Sequence, residues 1–308
     1  MILFYGRRDD SPLGRALDQA EALGVPHLLL DQGQLAGHDL GLAVDAGGWT
    51  GRVVAAGQEV SLDALWGVYA RPLELPEVRD PIDRLRAQTF HQGLVEWLDT
   101  APCLVVNRPS AMDSNSSKPF QAQLIAQLGF EVPDTLVTND PAEVVDFQRR
   151  HSRVIYKSTS GVRSIVRQLD DAALARLERV RAVPTMFQAH VSGADVRVHV
   201  VGEETFATEI TTEATDYRYA TRDGLVAEMA SLRLPEAVEA GCVRLAVGLR
   251  LPFCGVDLRR TEDGRWVCFE VNPMPAYSFF EDGTGQAIST SLVRLLAGNC
   301  KEPAHAER

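Results

Sequence analysis

Cys254-Gly-Val-Asp-Leu-Arg259, followed by Trp266-Val-Cys-Phe-Glu-Val-Asn-Pro273, reads as two β-strands, each with a polar and an apolar face. Side chains alternate along a strand. Gly255, Asp257 and Arg259 therefore share one face of the first, and Trp266, Cys268, Glu270 and Asn272 one face of the second. The opposite faces carry Val256, Leu258, Val267, Phe269 and Val271, which suit a core. Two carboxylates and an amide oxygen on stiff paired strands form a hard-oxygen donor set. Mg²⁺ accepts such a set, usually together with nucleotide phosphates. A half-exposed polar sheet face is the plainer alternative. The following run, Asn272-Pro-Met-Pro-Ala-Tyr-Ser-Phe-Phe-Glu-Asp-Gly, reads as an apolar, proline-rich loop walling a pocket, and it favours the metal.

Around this pair, strands dominate from Thr185 to about Gly298, at Met186–Val191, Asp195–Val201, Thr205–Thr211, Pro252–Arg259 and Arg265–Val271. Helices Pro235–Arg250 and Gln286–Leu296 cover them. Residues 108–185 read as a small α/β subdomain entered through a polar linker, Asn107–Ser117. Its first helix has Pro119 in the first turn, an apolar stripe of Phe120, Leu124 and Leu128, and a stop at Gly129. Thr138-Asn-Asp-Pro141 caps a second helix to about Arg150, Arg153–Ser158 is a strand, and Asp170–Arg181 a third helix. Residues 1–107 alternate short apolar runs with helical patterns at Leu13–Leu23 and Ile82–Leu98, which predicts an α/β layer on a mostly parallel sheet. Gly33–Gly57 reads as loops and a hairpin, and 299–308 as a polar tail. The fold class is α/β, divided at 1–107, 108–185 and 186–298.

Bulk properties narrow the function. A chain of 308 residues suits two or three subdomains. A formal charge of −11 argues against nucleic acids and anionic membranes as partners. The five cysteines form no C-x-x-C pair and read as reduced, buried thiols of a cytoplasmic protein. Met1-Ile-Leu-Phe-Tyr reads as a first strand, and no apolar stretch is long enough to span a bilayer. The histidines lack H-x-H and H-E-x-x-H spacing, and Ser289-Thr-Ser lacks a G-x-S-x-G context, so neither catalytic zinc nor a serine nucleophile is expected.

Several cations could meet phosphates. Lys118 opens a helix, where the dipole disfavours positive charge. A residue that breaks a local rule often serves a site. Lys157 ends a strand before the small-residue run Ser158-Thr-Ser-Gly161, which suits a phosphate as well as it suits a surface hairpin. Alternation in Asp195-Val-Arg197-Val-His199 gives three polar side chains one face, suited to ribose hydroxyls and a substrate carboxylate or simply to water. Arg218, in Thr215-Asp-Tyr-Arg-Tyr219, could stabilise a charged transition state or stack at the surface.

In order along the chain, these pieces resemble the ATP-grasp superfamily: Lys118, Lys157, Phe187-Gln-Ala-His-Val191, Ser192-Gly-Ala-Asp-Val-Arg197, Asp216-Tyr-Arg218, Gly255-Val-Asp257 and Phe269-Glu-Val-Asn-Pro273. The resemblance covers about 105–298. It is most similar to the ribosomal-protein glutamate ligase branch and to the graspetide (microviridin-type) peptide ligases. Trp66-Gly-Val-Tyr-Ala-Arg-Pro72, Asn107-Arg-Pro and Val137-Thr-Asn-Asp-Pro141 look like the latter. The resemblance implies an N-terminal pre-ATP-grasp domain, a lid at 108–185 and a C-terminal ATP-grasp subdomain. It implies ATP and Mg²⁺ as cofactors. Lys118 and Lys157 would contact phosphates, Gln188, Ala189 and His190 the adenine edge through their backbone, and Asp195 the ribose. Arg218 would sit on the transferred phosphoryl group, Arg197 on a substrate carboxylate, and Asp257, Glu270 and Asn272 on two Mg²⁺ ions. The implied function is a carboxylate–amine or carboxylate–hydroxyl ligase working through an acyl phosphate on a peptide. A small-molecule amino-acid or dipeptide ligase and a nucleotide-binding module without turnover are the alternatives. Self-association into a homo-oligomer stays open. Relatives often carry a longer Gly-rich loop after the second lysine than the single Gly161 here, and small Ser/Gly residues where this chain has Pro-Met-Pro-Ala.

Overall fold

The computed structural model describes residues 1–75, 77–158, 166–212 and 228–298, which form two compact units. The first unit holds Met1–Ala111, Leu251–Phe253 and the described residues from Met274 on. Its parallel sheet has the order β2-β1-β6-β7, from β1 (Ile2–Gly6), β2 (His27–Asp31), β6 (Gly67–Ala70) and β7 (Leu104–Val106). Every residue of β1 is buried, as a parallel strand covered on both faces requires. Helix Ser11–Ala22 lays Leu13, Ala16, Leu17 and Ala20 against the core at helical spacing. Helix Pro81–Thr100 starts where the Asp80 carboxylate accepts from the Ile82 and Asp83 amides, both at 2.9 Å, and buries Phe90, Leu94, Trp97 and Leu98.

Three readings change here. Gly33–Gly57 is more regular than loops and a hairpin: a 3₁₀ segment, Gln32–Gly37, leads into the antiparallel sheet β3 (Asp39–Asp45), β4 (Gly48–Ala55) and β5 (Gln58–Ser61). Asn107–Ser117 is no simple linker. It forms short helical turns, Pro109–Met112 and Asp113–Ser116, and the buried Asn107 amide bonds both backbone groups of Phe253, at 2.7 and 3.3 Å. The proline-rich run after Asn272 includes helix Tyr277–Thr284, whose buried Tyr277 hydroxyl donates to the Pro12 carbonyl at 2.7 Å.

The second unit holds Met112–Arg250 and Cys254–Pro273. It contains an antiparallel sheet of order β10-β9-β11-β8, built from β8 (Thr135–Thr138), β9 (Val154–Lys157), β10 (Arg167–Gln168) and β11 (Thr185–Ala189). Val144, Phe147, Val154, Leu169 and Phe187 make its core. The expected helix over Asp170–Arg181 is broken into a turn at Asp171–Leu174 and a 3₁₀ segment at Leu177–Ala182. A second sheet has the order β14-β13-β12-β15-β16, from β12 (Ala194–Val201), β13 (Glu204–Thr211), β14 (Glu228–Leu232), β15 (Phe253–Arg260) and β16 (Trp266–Asn272). Helix Lys118–Gln127 packs on β16 through Gln121 and Ile125, its two buried residues. The predicted Phe120–Leu124–Leu128 stripe is not the buried one, and Phe120 is half exposed. Among the described residues, no helix is long and apolar enough to cross a membrane.

Candidate functional site

Antiparallel pairing of β15 with β16 sets Asp257 opposite Glu270 and Gly255 opposite Asn272. Opposed carboxylates on neighbouring strands repel unless cations sit beside them. Two do. Arg197 on β12 donates to Asp257 Oδ1 at 2.6 Å, and Lys118 Nζ lies 3.9 Å from Glu270 Oε1. The Arg197 guanidinium lies over Gly255, where any Cβ would overlap it. The helix start that disfavours Lys118 is thus offset by the Glu270 carboxylate.

Strict alternation fails at one point on β16. The register shifts between Asp257 and Leu258, so Leu258 pairs with Cys268 and Phe269 is the extra residue. As a result Cys268 is fully buried, while Phe269 lines the cleft beside Glu270. The cleft is walled by Lys157 and Gln188 on one side and by Asp195, Asp257, Arg259 and Glu270 on the other. Arg259, which alternation put on the Asp257 face without a role, bonds the Asp195 carboxylate, donates to the Val191 carbonyl at 2.7 Å and stacks over Phe269 with 5.3 Å to the ring centre. Lys157 Nζ donates to Gln188 Oε1 at 3.4 Å, and Gln188 Nε2 to Thr135 at 3.1 Å.

Two backbone amides of the segment 188–190 have partners within the protein. The Ala189 amide donates to the Asp134 carbonyl and the His190 amide to the Arg153 carbonyl, both at 2.9 Å. A base docked here could meet the carbonyls of the segment and the cleft-lining His190 side chain. Burial, with Arg153 and Arg259 nearby, lowers the His190 pKa and keeps the ring neutral at pH 7. His199, which alternation placed with Asp195 and Arg197, is fully buried. Burial and the Arg197 charge hold its pKa well below the usual histidine range. Desolvation pushes the Cys242 and Cys254 thiols up to about 12 and the Cys268 thiol well above its usual value, so none of the three is a thiolate nucleophile.

A residue that sequence patterns give no reason to select holds this arrangement. Gln121, one turn after Lys118, is buried. Its amide donates to the Val271 carbonyl at 2.8 Å and accepts from the Val271 amide at 3.0 Å. Val271 lies between Glu270 and Asn272, so one side chain ties the lysine helix to the acidic strand. A buried glutamine within a helix has no periodic signature, and only its spacing from Lys118 hints at it.

A RimK-like ATP-grasp domain matches residues 115–296. The chain belongs to the RimK-like ATP-grasp family. Along the sequence it is 23% identical over 248 residues to the "Probable alpha-L-glutamate ligase" of Vibrio atlanticus (strain LGP32), covering 76% of this chain and 81% of that one. In structure it is similar to the ATP-grasp ligase PsnB complexed with a phosphomimetic variant of minimal precursor, Mg and ADP, with a TM-score of 0.79, 25% identity, and 97% of this chain and 98% of that one covered. It is similar as well to the macrocyclase MdnC bound with precursor peptide MdnA from Microcystis aeruginosa MRC, at TM-score 0.78 and 19% identity, over 97% and 100% of the two chains; this likeness concerns the fold. The RimK-like ATP-grasp chain is an α/β ligase enzyme.

Within this family member the structure brings Lys118, Arg197, Asp257 and Glu270 together, and sets Lys157, Gln188, His190 and Asp195 around the same cleft. Asn272 pairs with Gly255, two residues along the ladder from the Asp257–Glu270 pair. Gly161 and Arg218 lie outside the described residues. Among the described residues no three His, Cys, Asp or Glu side chains group as metal ligands. The donor set is two carboxylates completed by an amide, all oxygen, which fits Mg²⁺ better than a softer ion.

Proposed function

We propose that this enzyme uses ATP and Mg²⁺ to join a carboxylate to an amine or hydroxyl on a peptide, through an acyl phosphate. The observation that carries the proposal is the opposed Asp257–Glu270 pair with Lys118 and Arg197 at its two ends, beside a cleft that also holds Lys157. The RimK-like family and the likeness to PsnB support the reading.

A carboxylate is a poor electrophile, because attack on it would expel oxide. Transfer of the γ-phosphoryl group to a carboxylate oxygen breaks the bond to ADP and gives a mixed anhydride. The amine or hydroxyl then attacks the acyl carbon, inorganic phosphate departs, and the nucleophile's proton passes to phosphate or water. Phosphoryl transfer needs position and charge more than covalent help, which suits a cleft without a serine or thiolate nucleophile. Lys118 and Lys157 hold the phosphates, Asp195 takes the ribose, and Arg218 steadies the transferring group. Asp257, Glu270 and Asn272 hold Mg²⁺, which when bound neutralises charge on the phosphates. Arg197 fixes the Asp257 carboxylate by their short contact and is the candidate contact for a substrate carboxylate. Residues 108–185 serve as a cover that keeps water from the acyl phosphate.

Mass spectrometry of candidate peptides incubated with ATP and Mg²⁺ tests this. Loss of one water per event means a cross-link, and gain of a residue mass means addition. A second reading, a ligase of free amino acids, draws on the relatives named alpha-L-glutamate ligases. ADP release with amino acids alone would favour it.

A further inference from the structure

Each carboxylate that lines the nucleotide cleft has a cation beside it. Asp257 has Arg197, Glu270 has Lys118, and Asp195 has Arg259. The first two pairs belong to the magnesium set already described. Arg259 has no task in the reaction proposed above, yet its contacts are more specific than those of a surface arginine. Its Nε donates to Asp195 Oδ1 at 2.9 Å, and one Nη bonds the same oxygen. The other Nη donates to the Val191 carbonyl at 2.7 Å, and the guanidinium lies over the Phe269 ring. The side chain is 19% exposed. The next residue, Arg260, is 39% exposed and bonds the two oxygens of Glu209 at 2.8 and 3.0 Å, an ordinary ion pair near the surface.

Val191 follows β11, Asp195 opens β12 and Phe269 lies on β16, so one guanidinium on β15 ties together three separate walls of the cleft. We propose that Arg259 is the positioning residue through which the cleft reads the nucleotide's sugar. It holds the Asp195 carboxylate where the ribose hydroxyls donate to it, and does not itself bond the sugar. Preference for a ribonucleotide over its deoxy forms then depends on Arg259. The inference rests on the reading of Asp195 as the ribose contact, and adds the residue that makes that contact selective. An ionised carboxylate offers about four acceptor sites, so pairing with Arg259 is compatible with hydroxyls as further donors. An Asp195 without its cation would turn about its own two side-chain bonds. It would also set a full negative charge in a cleft that has to accept phosphates. The planar guanidinium fork supplies both the charge and the fixed direction, which a lysine ammonium cannot.

Calorimetric titration of the full chain with Mg·ADP and with Mg·2′,3′-dideoxy-ADP tests this. The parent should favour ADP by about ten- to a hundredfold, the range expected for hydroxyls bonded to a charged acceptor. Arg259→Leu should bring the two affinities to within about threefold of each other, chiefly by weakening ADP. Arg259→Lys keeps the charge without the fork; it should give an intermediate ratio, and it guards against misfolding of the leucine variant. Asp195→Asn should also lose the preference, and Arg259→Leu/Asp195→Asn should lose no more than either single change, as residues acting through one contact do. A merely structural arginine would weaken both nucleotides alike and leave their ratio untouched. That result in both Arg259 variants would overturn the proposal, as would a parent that binds the two nucleotides equally, or losses of preference that add in the double variant. Failure of the parent to bind either nucleotide would overturn the ligase reading, and this inference with it.

Discussion

Gln121 brackets Val271 with both halves of its amide, at 2.8 and 3.0 Å, and so fixes the residue between Glu270 and Asn272 to the helix that begins at Lys118. Removing the glutamine leaves a buried N–H and a buried C=O without their partner. Each costs about 1–3 kcal/mol. Gln121→Met should therefore lower stability by roughly 2–6 kcal/mol in urea unfolding, and Gln121→Glu, whose buried carboxylate would face the Val271 carbonyl, by at least as much. An unchanged unfolding midpoint for Gln121→Met would show that the clamp does not hold in solution.

The Arg197–Asp257 pair gives a second prediction. Arg197 is buried and Asp257 partly so, at 5% and 28% side-chain exposure. Breaking one side of such a pair strands the other charge and costs about 3–5 kcal/mol at full burial. Arg197→Met should be the more damaging change to stability, because it leaves two opposed carboxylates with Lys118 alone. Asp257→Asn should fold and lose magnesium-dependent ATP turnover. Urea unfolding of both variants, read beside ADP production, separates the two effects. Retained turnover in Asp257→Asn would remove this carboxylate from the site.

Lys118 and Lys157 make the third. A charge-assisted contact to phosphate is worth about 1.5–3 kcal/mol. Lys118→Ala or Lys157→Ala should weaken ADP binding by about ten- to a hundredfold. The same substitution at exposed Arg52, paired with Glu59 in the first unit, should do nothing to it. Titration calorimetry decides between them.

The fourth concerns pH. His199 is held neutral when folded, with a pKa well below the 6.5 of the free side chain. The unfolded chain therefore binds the extra proton first. The stability from a neutral His199 is complete above pH 6.5 and is lost as pH falls from there toward the depressed folded value. The loss approaches about 1.4 kcal/mol per pH unit for this one group. His38 and His91, also lowered by burial, add to the slope. His199→Gln should flatten the fall in urea midpoint between pH 7 and 5 by one histidine's share. Parallel curves for variant and parent would contradict the assignment.

Much of the site was legible because its residues break rules or keep a simple period. Lys118 sits where a helix disfavours it, and Asp257, Glu270 and Asn272 share a face at period two. Phe269 was misplaced because a bulge moves one residue across the sheet without any mark in the sequence. The helix at Tyr277–Thr284 was hidden by Pro273 and Pro275, which read as loop. Gln121 and the structural role of Asn107 were missed because a buried amide has value only through the backbone it meets, and Val271 and Phe253 lie 150 and 146 positions away. The parallel strands of the first unit were readable because strands buried on both faces need continuous apolar runs.

The central claim is that Asp257, Glu270 and Asn272 bind nucleotide through Mg²⁺. Calorimetric titration of a non-hydrolysable ATP analogue, with and without Mg²⁺, tests it most directly in the parent chain and in Asp257→Asn/Glu270→Gln. The account predicts tight binding by the parent only when Mg²⁺ is present, and loss of that magnesium dependence in the double variant. Equal analogue affinity in all four titrations would contradict it.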